Sequence, residues 1–325
     1  MSGLRPPPRE DKPGGVVLRI LGLVLLVLIA GTVIYSAVTQ QRLELIEDTT
    51  VSELDINTIV DVDGIELNVV REGDGTVPLV LLHDVDVAGG ALWDSVATQL
   101  TPDFDIIRVD LPGFGLSQRF PEEGPPHTVA SMAEVVSNLL SLTVDQPVVV
   151  AGVGLGGEVA AELSVSNPDQ VAALVMIDVD FYDKGGWAEF LEKLPWLGRA
   201  ATFTFDSGGN LGASRWAPHC GDEGGWCPTA SQVAARDLAE TIVGTTDSLR
   251  AFRRTPAASL VPSKLGEIEA PTYYLWSQSG NVPRQSVDKV QQAMPDAQFD
   301  VVADAWKAHL EAPETVAEAI RSISP

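Results

Sequence analysis

Three observations predict an α/β fold, a mostly parallel twisted sheet with helices on both faces. Short apolar runs alternate with amphipathic helical segments from about residue 57 onward, the pattern of strands buried on both sides by crossover helices. That rhythm breaks once, between about residues 181 and 266, where an aromatic-rich segment intervenes. An uncharged apolar run near the N-terminus adds one membrane-spanning helix.

The elements follow in order. Val16 to Val38 is almost wholly apolar, and Ile20 to Val38 carries no charge, a length that matches the hydrocarbon core of a bilayer. Arg5, Arg9, Lys12 and Arg19 precede it, while Glu44, Glu47 and Asp48 soon outnumber Arg42 after it. The positive-inside rule puts the N-terminus in the cytoplasm and the main domain outside a cell membrane, as a single-pass protein. The competing reading, a cleaved signal peptide, requires a shorter apolar stretch and a better cleavage site than Tyr35-Ser36-Ala37. Thr58–Val62 and Ile65–Arg71 flank the turn signal Asp63-Gly64. Leu79–Leu82, Asp105–Val109, Val148–Ala151, Val171–Ile177, Thr272–Trp276 and Gln298–Val302 read as buried strands. Leu92–Leu100, Thr128–Leu142, Glu158–Ser166, Gln285–Met294 and Pro313–Ile323 read as helices, with Thr128 as an N-cap and Pro313 in a first turn.

The chain thus divides into a disordered cytoplasmic tail (1–15), a transmembrane helix (16–38), a linker (39–56), a first part of the sheet (57–180), an inserted helical cap (181–266) and a second part of the sheet (267–325). The cap carries Trp187, Trp196, Trp216 and Trp226 with Phe190, Phe203 and Phe205. It is expected over the C-terminal edge of the strands, where open α/β sheets bind ligands. Cys220 and Cys227 lie between Pro218 and Pro228; outside the cytoplasm they are expected to form a disulfide. Read instead with His219 as a metal site, they supply three ligands against the usual four, so neither metal nor cofactor is expected. The net charge of −24 repels nucleic acid and favours solubility.

Four stretches in order carry a family resemblance: Leu79-Val80-Leu81-Leu82-His83-Asp84 followed by Trp93, Asp110-Leu111-Pro112-Gly113-Phe114-Gly115-Leu116-Ser117, Val148-Val149-Val150-Ala151-Gly152-Val153-Gly154-Leu155-Gly156-Gly157, and His309-Leu310-Glu311-Ala312-Pro313-Glu314. From about Asn57 to Pro325 the chain resembles the α/β-hydrolase superfamily. That resemblance implies a nucleophile at the centre of a G-x-S-x-G elbow, an acid after the next-to-last strand and a histidine before the closing helix. Gly154 stands at the elbow, Gly280 (or its neighbour Asn281) at the acid position and Trp306 at the histidine position. Glycine has no nucleophile, and an indole donates one hydrogen bond without shuttling a proton. No intact catalytic triad is expected.

The resemblance also implies an oxyanion loop of backbone N–H groups and small residues, where this chain has Asp84 and Asp86. Two carboxylates there repel an oxyanion and suit a cation; the plainer alternative is that they face solvent or cap local backbone. Asp178 and Asp180 follow the strand after the elbow, where some relatives carry the acid, but they have no hydroxyl or thiol to activate. Gly152, Gly154 and Gly157 also spell G-x-G-x-x-G, with Asp178 about 20 residues on, the dinucleotide fingerprint; against that reading, the motif follows at least four earlier strands. Three functions follow: a non-catalytic ligand-binding or scaffold protein of the cell envelope, an ester or other hydrolase with an unconventional site at Asp84, Asp86 and His309, and a dinucleotide-binding oxidoreductase. The first is the expectation. Its pocket, lined by His83, Asp84, Asp86, Val153, Gly154, Leu155, Trp306 and His309 and partly filled by Trp306, is expected to take a lipid-like small molecule or to serve an envelope protein partner.

Overall fold

The computed structural model describes residues 13–54, 56, 58–182, 197–206, 220, 225–255, 259 and 261–325. Trp187, Phe190, Trp196, Trp216 and His219 lie outside the described residues.

The strands are β1 Ile59–Val62, β2 Ile65–Glu72, β3 Val77–Leu82, β4 Phe104–Val109, β5 Val148–Val153, β6 Val171–Ile177, β7 Thr272–Ser277 and β8 Gln298–Val302. They form one sheet in the order β1-β2-β4-β3-β5-β6-β7-β8. β1 and β2 make an antiparallel hairpin, β2 runs antiparallel to β4, and the remaining pairs are parallel. The hairpin turns at Asp63 and Gly64, both at positive φ, as a two-residue turn between right-twisted strands requires.

The described helices are α1 Pro13–Ile46, α2 Asp94–Leu100, α3 Val129–Thr143, α4 Leu155–Ser166, then α5 Gly198–Asp206, α6 Ala230–Thr241, α7 Thr245–Arg254 and α8 Val261–Lys264 between β6 and β7, and finally α9 Arg284–Ala293, α10 Ala308–Glu311 and α11 Pro313–Ile323. Thr128 caps α3 by accepting the Ser131 N–H at 3.1 Å. Every residue of β5 is buried because this central strand has a core on each face. Val148 and Val150 join the cluster of Met132, Val136, Leu139 and Val159, while Val149, Ala151 and Val153 join that of Trp93, Val96, Ala317 and Ile320. Alternation at period two within a continuous apolar run is what a doubly covered parallel strand requires. A satellite cluster of Ala88, Leu92 and Leu310 collects Trp226 and Trp306. Cys220 and Cys227 are disulfide-bonded.

One segment differs from the expectation. Residues 39–56 are not simply a linker: α1 runs unbroken to Ile46, and a short 3-10 turn occupies Val51–Glu53. Gln40 to Ile46 contains no Gly or Pro and is rich in good helix formers. Thr39 and Leu43, only 4% and 1% exposed, face the body of the protein. Among described residues, α1 is the one helix long and apolar enough to cross a membrane.

Candidate functional site

The C-terminal edge of the sheet gathers the site. β5 ends at Val153, fully within the core, and Gly154 turns the chain into α4 at φ 50° and ψ −115°. That conformation is strained for any residue with a Cβ. The turn is held from both sides: the Gly154 N–H donates to the Ile177 carbonyl at 3.0 Å, and its own carbonyl accepts the Glu158 N–H at 3.0 Å. This is the strand–turn–helix of a nucleophile elbow.

Asp84, just past β3, fills the space in front of the turn. A Cβ on Gly154 would lie 2.2 Å from Asp84 Oδ1. Oδ1 accepts the Leu155 N–H at 3.2 Å and Oδ2 accepts from Lys307 Nζ at 3.1 Å, while the neighbouring Val85 N–H adds to the pull on the charged form. In α/β-hydrolase sites the oxyanion hole consists of the N–H after the nucleophile and an N–H from the loop following β3; Leu155 and Val85 hold those two places. The Asp84 and Lys307 side chains are 26% and 19% exposed. Burial pushes the Asp84 carboxyl up, but the Lys307 charge and the two N–H groups outweigh it, and Asp84 is held below the ordinary carboxylate range. Burial pushes Lys307 down, yet Asp84 and then Asp86 outweigh that, leaving it above the usual lysine value. Both shifts describe one charged pair.

The surrounding groups are engaged locally. Asp86 Oδ1 accepts the Ala88 N–H at 2.8 Å, the local cap that an Asp in a turn makes, and burial raises its carboxyl against the pull of Lys307. Asp178, at φ 51°, accepts from the Ser277 N–H and hydroxyl, each at 2.6 Å. The Ser277 hydroxyl in turn accepts the Ala308 N–H at 2.8 Å, so Asp178 knits the ends of β6 and β7 to α10. Burial raises the Asp178 carboxyl, partly offset by Ser277.

Neither histidine is placed as a base. His83 is buried; its Nε2 accepts the Leu111 N–H at 2.9 Å, so Nδ1 carries the proton and donates to the Asp84 carbonyl at 2.6 Å. It braces two loops. His309 is buried against Trp93, ring centroids 5.5 Å apart, and its Nδ1 has no hydrogen-bond partner. Burial, with help from the Lys307 charge, pushes it down to about 3, so it is neutral near pH 7.

Gly280 lies in the turn after β7, its N–H donating to the Ser277 carbonyl at 3.0 Å, and a Cβ there would come 2.8 Å from the Trp306 carbonyl. Trp306 is half-buried against the satellite cluster, as is Trp226, and its backbone N–H donates to Glu311 Oε2 at 2.6 Å. The Trp306 indole lies beside Lys307, whose Nζ is 5.3 Å from the ring centroid, and it is Lys307 that reaches the elbow. Sequence reading named Asp84 and its appetite for a cation but missed that the cation is internal. The signal was present: Lys307 adjoins the histidine position, in a chain with few basic residues.

The G-x-G-x-x-G reading fares differently. A Cβ at Gly152 would lie 2.3 Å from Gly156 backbone atoms, and one at Gly157 would lie 2.2 Å from the Val179 side chain. These glycines serve strand–helix packing, and the Asp178 carboxylate is committed to Ser277.

Comparison with known proteins agrees with the fold. The chain belongs to the alpha/beta hydrolase family, whose model matches residues 79–319. It is 34% identical over 105 residues to the pimeloyl-[acyl-carrier protein] methyl ester esterase of Proteus mirabilis, covering 32% of this chain and 37% of that one. It is 37% identical over 115 residues to the lipase LipV of Mycobacterium tuberculosis, covering 35% and 42% respectively. The chain thus spans about two fifths of the length of these curated relatives. Among solved structures, an esterase from Thermogutta terrifontis superposes with TM-score 0.60 at 24% identity, covering 82% of this chain and 95% of that one. A bacterial membrane phospholipase A superposes with TM-score 0.65 at 22% identity, covering 94% and 96%. A share of 94% exceeds what residues 57–325 alone can supply, so this fold likeness extends into the N-terminal region.

Proposed function

We propose that this chain is a non-catalytic member of the family, held in a cell membrane by α1 with its N-terminus in the cytoplasm and its main domain outside, and that it binds a lipid-like small molecule or an envelope protein partner. One observation carries the loss of catalysis. The Asp84 carboxylate, paired with Lys307, takes the Leu155 N–H of the oxyanion hole and fills the space in front of a glycine elbow. An acyl carbonyl entering there would have to displace an internal anion from a donor that should stabilise its own developing charge. With Gly154 at the elbow there is also no atom to attack it. The basic residues preceding α1 support the topology, and the fold likeness to a membrane phospholipase A supports the anchor.

The second reading is an ester hydrolase with an unconventional site, favoured by relatives that are esterases and a lipase. Turnover of p-nitrophenyl esters of increasing chain length by the full chain in detergent separates the two. The non-catalytic reading predicts no rate above buffer for any ester. Saturable turnover that falls when Asp84 or His309 is changed to Ala would establish the second reading instead.

A further inference from the structure

The same helix that reads as the anchor is also part of the cap's packing, and this fixes where the cap lies. The uncharged run Ile20–Val38 spans about 28 Å at 1.5 Å per residue, close to the thickness of a bilayer's hydrocarbon core. Contact with the body begins before that run ends. Thr32 and Ser36 are half-buried, Thr39 and Leu43 buried, Ile46 half-buried and Glu47 buried. Spacings of three and four residues place all six on one helix face, and the opposite face remains exposed. The Tyr35 hydroxyl is hydrogen-bonded to the Thr204 hydroxyl near the C-terminal end of α5. Thr32 and Thr39 turn their hydroxyls back on α1, donating to the Ile29 and Tyr35 carbonyls at 2.8 and 2.9 Å, so this face offers no unsatisfied donor to an apolar surrounding.

Beyond the apolar run the joint is stiff. The Glu47 carboxylate accepts the Gly244 N–H at 3.1 Å and the Thr246 N–H at 2.9 Å, holding an anion at the N-terminus of α7. Thr49 forms a strand-like bridge with Ile242, donating to the Thr241 carbonyl at 3.0 Å and accepting the Val243 N–H at 2.8 Å. No flexible spacer separates the apolar helix from the cap.

We infer that the cap is seated on the outer leaflet, with the C-terminal end of α5 held level with the boundary between acyl chains and headgroups. The inference rests on the anchor reading. Tyr35 lies three residues before the end of the uncharged run, which puts its backbone about 5 Å inside that end of the hydrocarbon span, with Thr204 held at its hydroxyl. The partner of this surface is the lipid bilayer itself. The net charge of −24 opposes a strongly anionic surface, so a zwitterionic leaflet suffices for seating.

The test uses the full chain in phosphatidylcholine vesicles, with a single environment-sensitive fluorophore attached through Leu26→Cys, Thr204→Cys or Asp296→Cys, the native cysteines being joined to each other. Quenching by lipids carrying a nitroxide near the headgroup end of the acyl chain reads depth. The inference expects Leu26 and Thr204 labels to be quenched, Thr204 at least half as strongly as Leu26, and the Asp296 label, before β8 at the far edge of the sheet, to be unaffected. Quenching at Leu26 without quenching at Thr204 overturns the seating and leaves the anchor standing. No quenching at Leu26 overturns the anchor and the seating together.

Discussion

The turn between β5 and α4 has two faces that have met different fates. On the face toward the sheet, the glycines are fixed by packing: a Cβ at Gly156 would lie 2.3 Å from the Leu82 carbonyl oxygen, as intolerable as those at Gly152 and Gly157. On the face toward the crevice, the side chain that would react is missing, and Asp84 and Lys307 stand in its place. The contrast shows that the elbow is a packing solution before it is a catalytic one. Its geometry still points backbone N–H groups at the start of α4 outward, and such groups attract an anion whether or not chemistry follows. In a hydrolase that anion is transient. Here Asp84 supplies it permanently, and Lys307 offsets the cost of burying it.

The comparison can be broken most forcefully at Gly154. A serine there meets Asp84 at its first carbon, so Gly154→Ser should lower stability by about 2–3 kcal/mol through overpacking. Asp84→Gly strands Lys307 in the parent chain, but in the Gly154→Ser chain it also relieves the clash, so it should cost clearly less in the double variant than on its own. Thermal melts of the three variants check it, and an unaltered melting temperature for the serine variant would mean that Asp84 does not occupy the crevice. Gly154→Ser should also remain without ester turnover, because Gly280 and Trp306 still supply neither acid nor base.

A smaller effect sharpens the contrast at the back of the crevice. His309, pushed down to about 3, stays neutral in the folded chain, whereas an unfolded histidine takes up a proton near pH 6.5. Below that pH the unfolded state binds more protons, so stability falls as pH falls, by about 2 kcal/mol between pH 6.5 and 5 from this residue. Denaturant titrations should show that slope in the parent chain and a shallower one in His309→Phe. The Asp84–Lys307 pair adds no slope there. Its carboxylate contribution is lost only as pH falls through a value below the ordinary carboxylate range, and its lysine contribution only as pH rises through a value above the usual lysine range.

How much of this was legible in the sequence follows from the range of each interaction. The strands were readable because β3, β5 and β6 are continuous apolar runs with a core on each face, and Thr128 announced α3 through a contact three residues away. Gly154, Gly280 and Trp306 could be located because motifs on either side of them fix the count. The Asp84–Lys307 pair joins positions 223 residues apart, and no local pattern encodes such a pairing. The same limit hid the joint between α1 and the cap. Glu47 read as one of several acids after an apolar run, and its role appears only when Gly244 and Thr246 are brought to it.

The most direct test of the filled oxyanion hole is a double-mutant cycle on Asp84→Asn and Lys307→Met, read as unfolding free energies in denaturant. Removing Lys307 alone strands a largely buried carboxylate and should cost about 3 kcal/mol. With Asn at position 84 the same change should cost much less, leaving a coupling of about 2 kcal/mol. Single changes that add to within about 0.5 kcal/mol would contradict the account, because they would mean that no anion is held in front of the elbow by Lys307.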